Sequence, residues 1–475
     1  MTRAYKTLIG GEWLTTGKTM DVINKFSGEV FATVAVADME LTAMAVECAA
    51  KAFTTFRRMP THQRARILEK VSDMLLARAE EIAETIACES GKAWKFAMNE
   101  VQRSSETFRF AAEEAKRGHG EVLPMDASRF GENRMGYFIR EPIGVIGAIT
   151  PFNFPLNLVA HKVAPAIATG NTVVLKPASS TPVSAIILAE ILTEAGLPAG
   201  VFNVAIGPGT VVGDTIVVHP DCRKITFTGS AAVGEQIIRK AGIKRVTLEL
   251  GNNSAAIIEA DADLAKAAAR CVVSAFANSG QVCISLQRIY VNRLVVGKFT
   301  GIFLEKVRAL KVGDPLDRDC DVGPMIDARE LERLDAWVKE AVAQGATVAA
   351  GGRAEGPIYL PTVLTDVTED MKVMCMEAFG PLVSIVPYED FGEALARVNN
   401  SNYGLQAGIY TNDLNRVLAA IDELDVGGVM INDTPTFRVD QMPYGGNKIS
   451  GLGREGVRFA MEEMTNIKTV VINRN

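Results

Sequence analysis

The stretch KITFTGSAAVGEQIIRKAGIKRVTLELG, residues 224–251, decides the fold. Two short apolar runs, KITFTG and RVTLEL, flank a segment with helical spacing, and Gly229-Ser230 stands where the first run turns into the helix. Strand, helix and strand in this order form the unit of a mostly parallel, helix-covered sheet. The turn leaves free N–H groups and the positive end of the helix dipole above the strand, an arrangement that favours an anion such as a phosphate. It is not the usual G-x-G-x-x-G, so alone it is a weak signal. Toward the N-terminus, GVIGAI, NTVVLK and VFNVAI repeat the strand pattern between residues 144 and 206. Ile206-Gly207-Pro208-Gly209 opens the next helix, making Gly209 a second candidate on the phosphate side. The segment SAIILAEILTEA is a helix with Thr181 as its expected cap, Pro182 in its first turn and Gly196 at its end.

Further out, residues 41–116 carry apolar residues at spacings of three and four and read as helices. A second alternating set runs from about 252 to 440, with QRIYVNR, a helix over 296–310, LVSIVPY, AGIYTN and GGVMIN. MGYFIREP (135–142) and IKTVVINRN (467–475) fit neither layer. Both alternate like strands and could pair with each other, and their exposed edges would invite another chain. The fold class expected is α/β, two such units with a small oligomerising sheet.

Composition narrows the function. The 475 residues are 48% hydrophobic and 22% charged, which suits a globular protein with a large core and excludes disorder as its main state. Lys and Arg number 50 against 56 Asp and Glu, a net charge of −6 that speaks against nucleic acid as partner. No apolar run is long enough to span a membrane, and MTRAYKTLIGGEW lacks the core of a secretory signal, so a cytoplasmic protein is expected. The seven cysteines show no C-x-x-C spacing and, with four histidines, no zinc pattern; no metal is expected.

Three residues stand out chemically. The helical pattern over 260–278 breaks at Ser279-Gly280, so Cys283 in GQVC falls on a turn that can present a thiol to a cleft, though a buried cysteine in a helix-to-strand connection reads the same way. Glu249, between leucines at a strand end, should be desolvated with a raised pKa, as a general base requires, or else make a structural hydrogen bond. Asn153 lies in TPFNFP, where two prolines and two aromatics would hold its amide as a rigid donor for an oxyanion; a structural turn is the alternative.

Taken together, TPFNFP, Lys176-Pro177-Ala178, FTGSAAVG, LELG, GQVC and Glu377-Ala378-Phe379-Gly380-Pro381 resemble, in order, the aldehyde dehydrogenase superfamily. The 34 residues from Glu249 to Cys283 match as well. The resemblance runs from IGGEW to PYGGNKISGLGREG, nearly the whole chain. It implies a Rossmann-like cofactor unit over residues 1–118 and 141–250, a catalytic unit over 251–461, and an oligomerisation element from 119–140 and 462–475 giving a homodimer or homotetramer. It implies Cys283 as nucleophile on a small aldehyde, Asn153 and the Cys283 N–H as oxyanion donors, hydride passing to NAD(P), and Glu249 activating the water that releases the acid. Ile149, Thr150, Pro151 and Phe152 would lie beside the nicotinamide half, Lys176 and Ser179 at the adenosine ribose, Gly229 and Ser230 at the pyrophosphate, and Glu377 and Phe379 at the nicotinamide ribose. Gly251 is kept with Glu249, although ELGNN replaces the usual ELGGK. Ser179 stands where many NAD-preferring members have Glu, so no carboxylate repels a 2′-phosphate and the reading leans to NADP, with dual use the alternative.

PLNLVAHKVAPA and DTPTFRVDQMPYGG resemble the branch of lactaldehyde, phosphonoacetaldehyde and non-phosphorylating glyceraldehyde-3-phosphate dehydrogenases. Arg103, His161 and Arg438 would form a cationic pocket for a small anionic aldehyde, each having a bland reading as a packed or solvated residue. Succinate semialdehyde is an alternative substrate, disfavoured by His161 and Ala277 where arginines are common. Acyl transfer to coenzyme A is disfavoured by Glu249, and a non-catalytic role by the presence of all three chemical residues.

Overall fold

The computed structural model describes residues 3–118 and 120–474; residues 119 and 475 of the expected oligomerisation element lie outside it. Two separate sheets carry the molecule. The first has six strands in the order Phe202–Val204, Thr172–Lys176, Val145–Ile149, Cys222–Thr228, Arg245–Glu249 and Gly451–Leu452. Its first five are parallel, and the sixth, from the far end of the chain, is antiparallel. The second has seven strands, from Thr347–Ala350 at one edge to Gly428–Ile431 at the other, all parallel except the first pair.

The first sheet's strand order reverses between Val145–Ile149 and Cys222–Thr228, the place where open α/β sheets bind ligands at their C-terminal ends. The loop 150–156 and the turn at Gly229-Ser230 both rise from that point. Behind them the helix Asn157–Thr169 is buried on every side except at Thr169, because before that residue its sequence is apolar all round apart from Asn157, His161 and Lys162. The helices Thr61–Ala77 and Trp94–Ala115 pack against it.

The helix Val183–Glu194 is not capped from its own N-terminal side. Thr181 makes no cap bond, and Glu89, at the end of the helix Ala79–Ser90, accepts the N–H groups of Val183 (2.8 Å) and Ser184 (3.1 Å) instead. A buried carboxylate from another helix thus replaces the local hydroxyl that the sequence offers.

Arg134–Pro142 and Thr465–Asn473 pair antiparallel over nine residues, and Glu121–Leu123 adds a third strand. The outer strand exposes Ile467, Val471 and Ile472. Residues 3–38, to which the apolar periodicity assigns no element, form a small three-stranded sheet and a hairpin against the helices.

Candidate active site

Cys283 is delivered by a constrained turn. The helix Leu264–Phe276 stops, and Asn278, Ser279 and Gly280 follow with φ of 51°, 54° and 67°. For the two non-glycine residues this left-handed geometry costs on the order of 1 kcal/mol each. It is held from outside: Ser279 Oγ donates to Gly323 O (2.8 Å), and Asn278 Nδ2 donates to the carbonyls of Asn153 and Gln281 (3.2 Å each). Gln281 Oε1 accepts from the Ile326 N–H at 3.0 Å. A side chain at Gly280 would run into the backbone of Gly380.

Asn153 meets this turn from the other sheet. Its Nδ2 donates to Gln281 O at 2.9 Å, which fixes the amide orientation and leaves the second N–H uncommitted. Asn153 and Cys283 both line a cleft of about 710 Å³ running along the switch point of the first sheet. Cys283 also lines a second cavity, of about 220 Å³. The residue therefore borders two spaces at once. Burial pushes the thiol up to about 11, against the lowering effect of a hydrogen bond from Tyr444 and the charge of Arg438.

The larger cleft carries every residue expected on the cofactor side. Ile149, Thr150, Pro151, Phe152, Lys176, Ser179, Gly209, Gly229, Ser230, Gly251, Glu377 and Phe379 all line it. Its volume suits a ligand of dinucleotide size. Gly229-Ser230 precede the helix Ala231–Ala241, so free N–H groups face the cleft. A Cβ at Gly251 would clash with the Glu377 carboxyl, and Glu377 accepts the Asn252 N–H at 2.9 Å. Phe152 and Phe379 meet edge to face, 5.8 Å apart. Burial lowers Lys176 to about 8, and its only bonded partner among the described residues is the carbonyl of Pro177 (3.0 Å). These groups fit a nicotinamide dinucleotide.

Glu249 ends its strand fully buried, and neither carboxyl oxygen has a hydrogen-bond partner among the described residues. Gly445 packs so closely that a Cβ there would lie 3.1 Å from Oε1. Burial, with the negative charge of Glu455 nearby, holds Glu249 well above the ordinary carboxylate range. Glu455 is held down in spite of its burial by Lys162, His161 and Arg438.

The three residues expected at the substrate end separate. Arg103 and Arg438 line the smaller cavity together with Arg270 and Lys92. His161 is not on that wall: it lies behind it, 2.7 Å from Asp440. Burial and the neighbouring Arg438 lower its pKa, against the raising effect of Asp440 and Glu455. Asp440 also takes both arms of Arg103, at 2.7 and 3.2 Å. Arg438 stacks on Tyr444, 3.6 Å from the ring centre, reaches Glu455 at 3.4 Å, and leaves its buried Nε–H without a partner among the described residues. Among the described residues no group of three or more His, Cys, Asp or Glu could hold a metal, and no helix is long and apolar enough to cross a membrane.

Residues 13–470 match the family described as the aldehyde dehydrogenase family. The chain belongs to that family. As an aldehyde dehydrogenase it is an NAD(P)-dependent oxidoreductase. It is 48% identical over 472 residues to a 3-sulfolactaldehyde dehydrogenase of Priestia aryabhattai, covering 99% of this chain and 98% of the relative. Aldehyde dehydrogenase 21 from Physcomitrella patens, solved with the reaction product succinate, superposes with a TM-score of 0.98 at 40% identity, covering 100% of this chain and 99% of that one. The glyceraldehyde-3-phosphate dehydrogenase GapN of Methanocaldococcus jannaschii, solved with NADP, gives 0.93 at 42% identity over 96% of this chain and all of that one.

Sequence reasoning missed several residues that this aldehyde dehydrogenase brings to the site. Lys162, fully buried and bonded to Thr228 Oγ1 (2.7 Å) and Glu455 (2.6 Å), carried a signal: a lysine inside an otherwise apolar helix demands a partner. Asp440, Glu455 and Tyr444 sit in loops whose spacing announces nothing. Arg270 lies on the helix face that also turns Val273 and Ala277 toward the smaller cavity, a face visible only once the cavity is known.

Proposed function

We propose that the enzyme oxidises a small aldehyde bearing an anionic end to its carboxylic acid. The carrying observation is that Cys283 borders both a dinucleotide-sized cleft and a small cavity walled by guanidinium groups. In this reading the Cys283 thiolate attacks the aldehyde carbon, and the negative oxygen of the adduct is held by the free Asn153 N–H and the Cys283 backbone N–H. The chemistry that the bound nicotinamide supplies is hydride acceptance. Glu249 then takes a proton from the water that attacks the resulting thioester, and its dry surroundings keep that carboxyl basic enough to do so.

The unpaired Nε–H of Arg438 supports an anionic group in the small cavity, since a buried donor without a partner costs free energy until something accepts from it. The sulfonate, carboxylate and phosphate implied by the names of the three relatives agree with this reading. Succinate semialdehyde is the second reading, favoured by the succinate-bound relative. Ser179 and Lys176 support NADP over NAD, as no carboxylate stands at that position to repel a phosphate. We keep residues 1–118 and 141–250 as cofactor unit, 251–461 as catalytic unit, and 119–140 with 462–475 as the element that joins subunits into a dimer or tetramer. Seven unpaired cysteines support a reducing, cytoplasmic setting.

The test is steady-state kinetics on matched aldehydes: sulfolactaldehyde against lactaldehyde, and succinate semialdehyde against butanal. The anionic member is expected to win by about tenfold or more in kcat/KM, roughly 1.4 kcal/mol. Arg438→Met should erase that advantage, and Cys283→Ser should abolish oxidation of all four. Preference for lactaldehyde and butanal would remove the anionic substrate from the reading.

A further inference from the structure

Tyr444 has no part in the reaction just described, yet its hydroxyl lies 2.9 Å from Cys283 Sγ. Among the described residues it has no other hydrogen-bond partner. Tyr444 is buried with Ile284 and Leu405, and its backbone is tied to Glu455 in both directions, N–H to carbonyl at 3.0 and 2.7 Å. The Arg438 guanidinium covers the ring face. The ring is therefore held with its hydroxyl at the sulfur.

We propose that the Tyr444 hydroxyl donates to the Cys283 thiolate and is the group that makes this buried thiol ionisable, a role that rests on Cys283 being the nucleophile. An O–H that is harder to ionise than the thiol keeps its proton and donates, and a thiolate is the better acceptor. The cation on the ring draws electron density from the phenol and strengthens the donor. When the thiol ionises, its proton leaves to water and no bond of Tyr444 breaks.

The surroundings make such a donor necessary. Burial, Glu377 and Glu249 all work against the thiolate, and only the Tyr444 bond and the charge of Arg438 favour it. Tyr444 itself is kept protonated by burial, Cys283 and Glu249, against the opposing charge of Arg438. The same hydrogen bond aims the sulfur, because the hydroxyl belongs to the wall of the small cavity into which the aldehyde would enter.

The experiment alkylates the whole enzyme, without aldehyde, with iodoacetamide across a pH series. Labelling is read on the Cys283 peptide by mass spectrometry, since six other thiols are present. Tyr444→Phe, which keeps the ring, should move the Cys283 midpoint upward by about one unit, roughly tenfold less thiolate at a given pH below it. Site-specific 3-fluorotyrosine at 444, a stronger donor of nearly the same shape, should move the midpoint down. Unchanged midpoints in both variants, or a downward shift in Tyr444→Phe, would overturn the proposal. Should Cys283→Ser retain aldehyde oxidation, the functional reading itself fails. Should that variant be dead while the midpoints stay fixed, only the role of Tyr444 falls.

Discussion

At the scale of single residues the site is built from side chains denied their ordinary surroundings. Among the described residues Glu249 has no donor, Arg438 has a donor with no acceptor, and Lys176 is buried with nothing but a carbonyl to meet. Each absence favours a particular arrival: a water to deprotonate, an anion to hold, a phosphate to pair with. Lys176 makes the last point measurable. Its pKa near 8 means that it is charged at neutral pH and loses the charge as pH rises through that value. If it pairs with the 2′-phosphate, the ratio of NAD to NADP dissociation constants should fall several-fold between pH 7 and pH 9. In Lys176→Ala the ratio should already be low at pH 7 and hardly change. Fluorescence titration with each cofactor in the absence of aldehyde checks both statements.

At the scale of elements, the helices and strands that carry the site are positioned by charges reaching in from elsewhere. Glu89 caps Val183–Glu194, and Glu100 does the same for Asn157–Thr169 by accepting the N–H groups of Leu156 and Asn157 (2.9 and 3.1 Å) while pairing with Lys92. Glu89 is raised to about 7 because burial outweighs its bonds to Ser184 and Val183. A carboxyl with a higher pKa folded than unfolded contributes most below about 4.5, and that contribution is lost as pH climbs through 7, about 3 kcal/mol in all. Glu89→Ala should therefore cost more at pH 5, where about 1–2 kcal/mol of capping adds to it, than at pH 8. Urea unfolding at the two pH values reads the difference. Such long-range caps explain the limits of legibility at this scale. The strands around residues 144–251 are readable because their apolar runs and turns are local, whereas Thr181 stood in the right place to cap and was passed over for Glu89, 94 residues before Val183.

At the scale of the whole molecule, the strand Thr465–Asn473 presents Ile467, Val471 and Ile472 along an open edge, which an isolated chain would leave in water. If this edge joins subunits as proposed, Val471→Asp should shift the protein toward monomers in sedimentation velocity, while far-UV circular dichroism stays that of a folded α/β protein. Alternation made both strands of that pairing legible; the motifs around Asn153, Glu249 and Cys283 made the cofactor cleft legible. The small cavity was legible only in part: the family resemblance pointed to Arg103 and Arg438, whereas Lys92, Arg270 and Tyr444 reach its wall from segments with no pattern in common. The antiparallel sixth strand of the first sheet carries one more consequence. Gly451–Leu452 completes a sheet whose first strand begins at Val145, and Arg438, Tyr444 and Glu455 come from the same late stretch. During synthesis the early strands must wait, with the edge at Arg245–Glu249 unpaired, until residues 451 and 452 have been made. A nascent chain stalled before residue 451 would hold Glu249 without its neighbours, a reason for chaperone demand to peak late in translation.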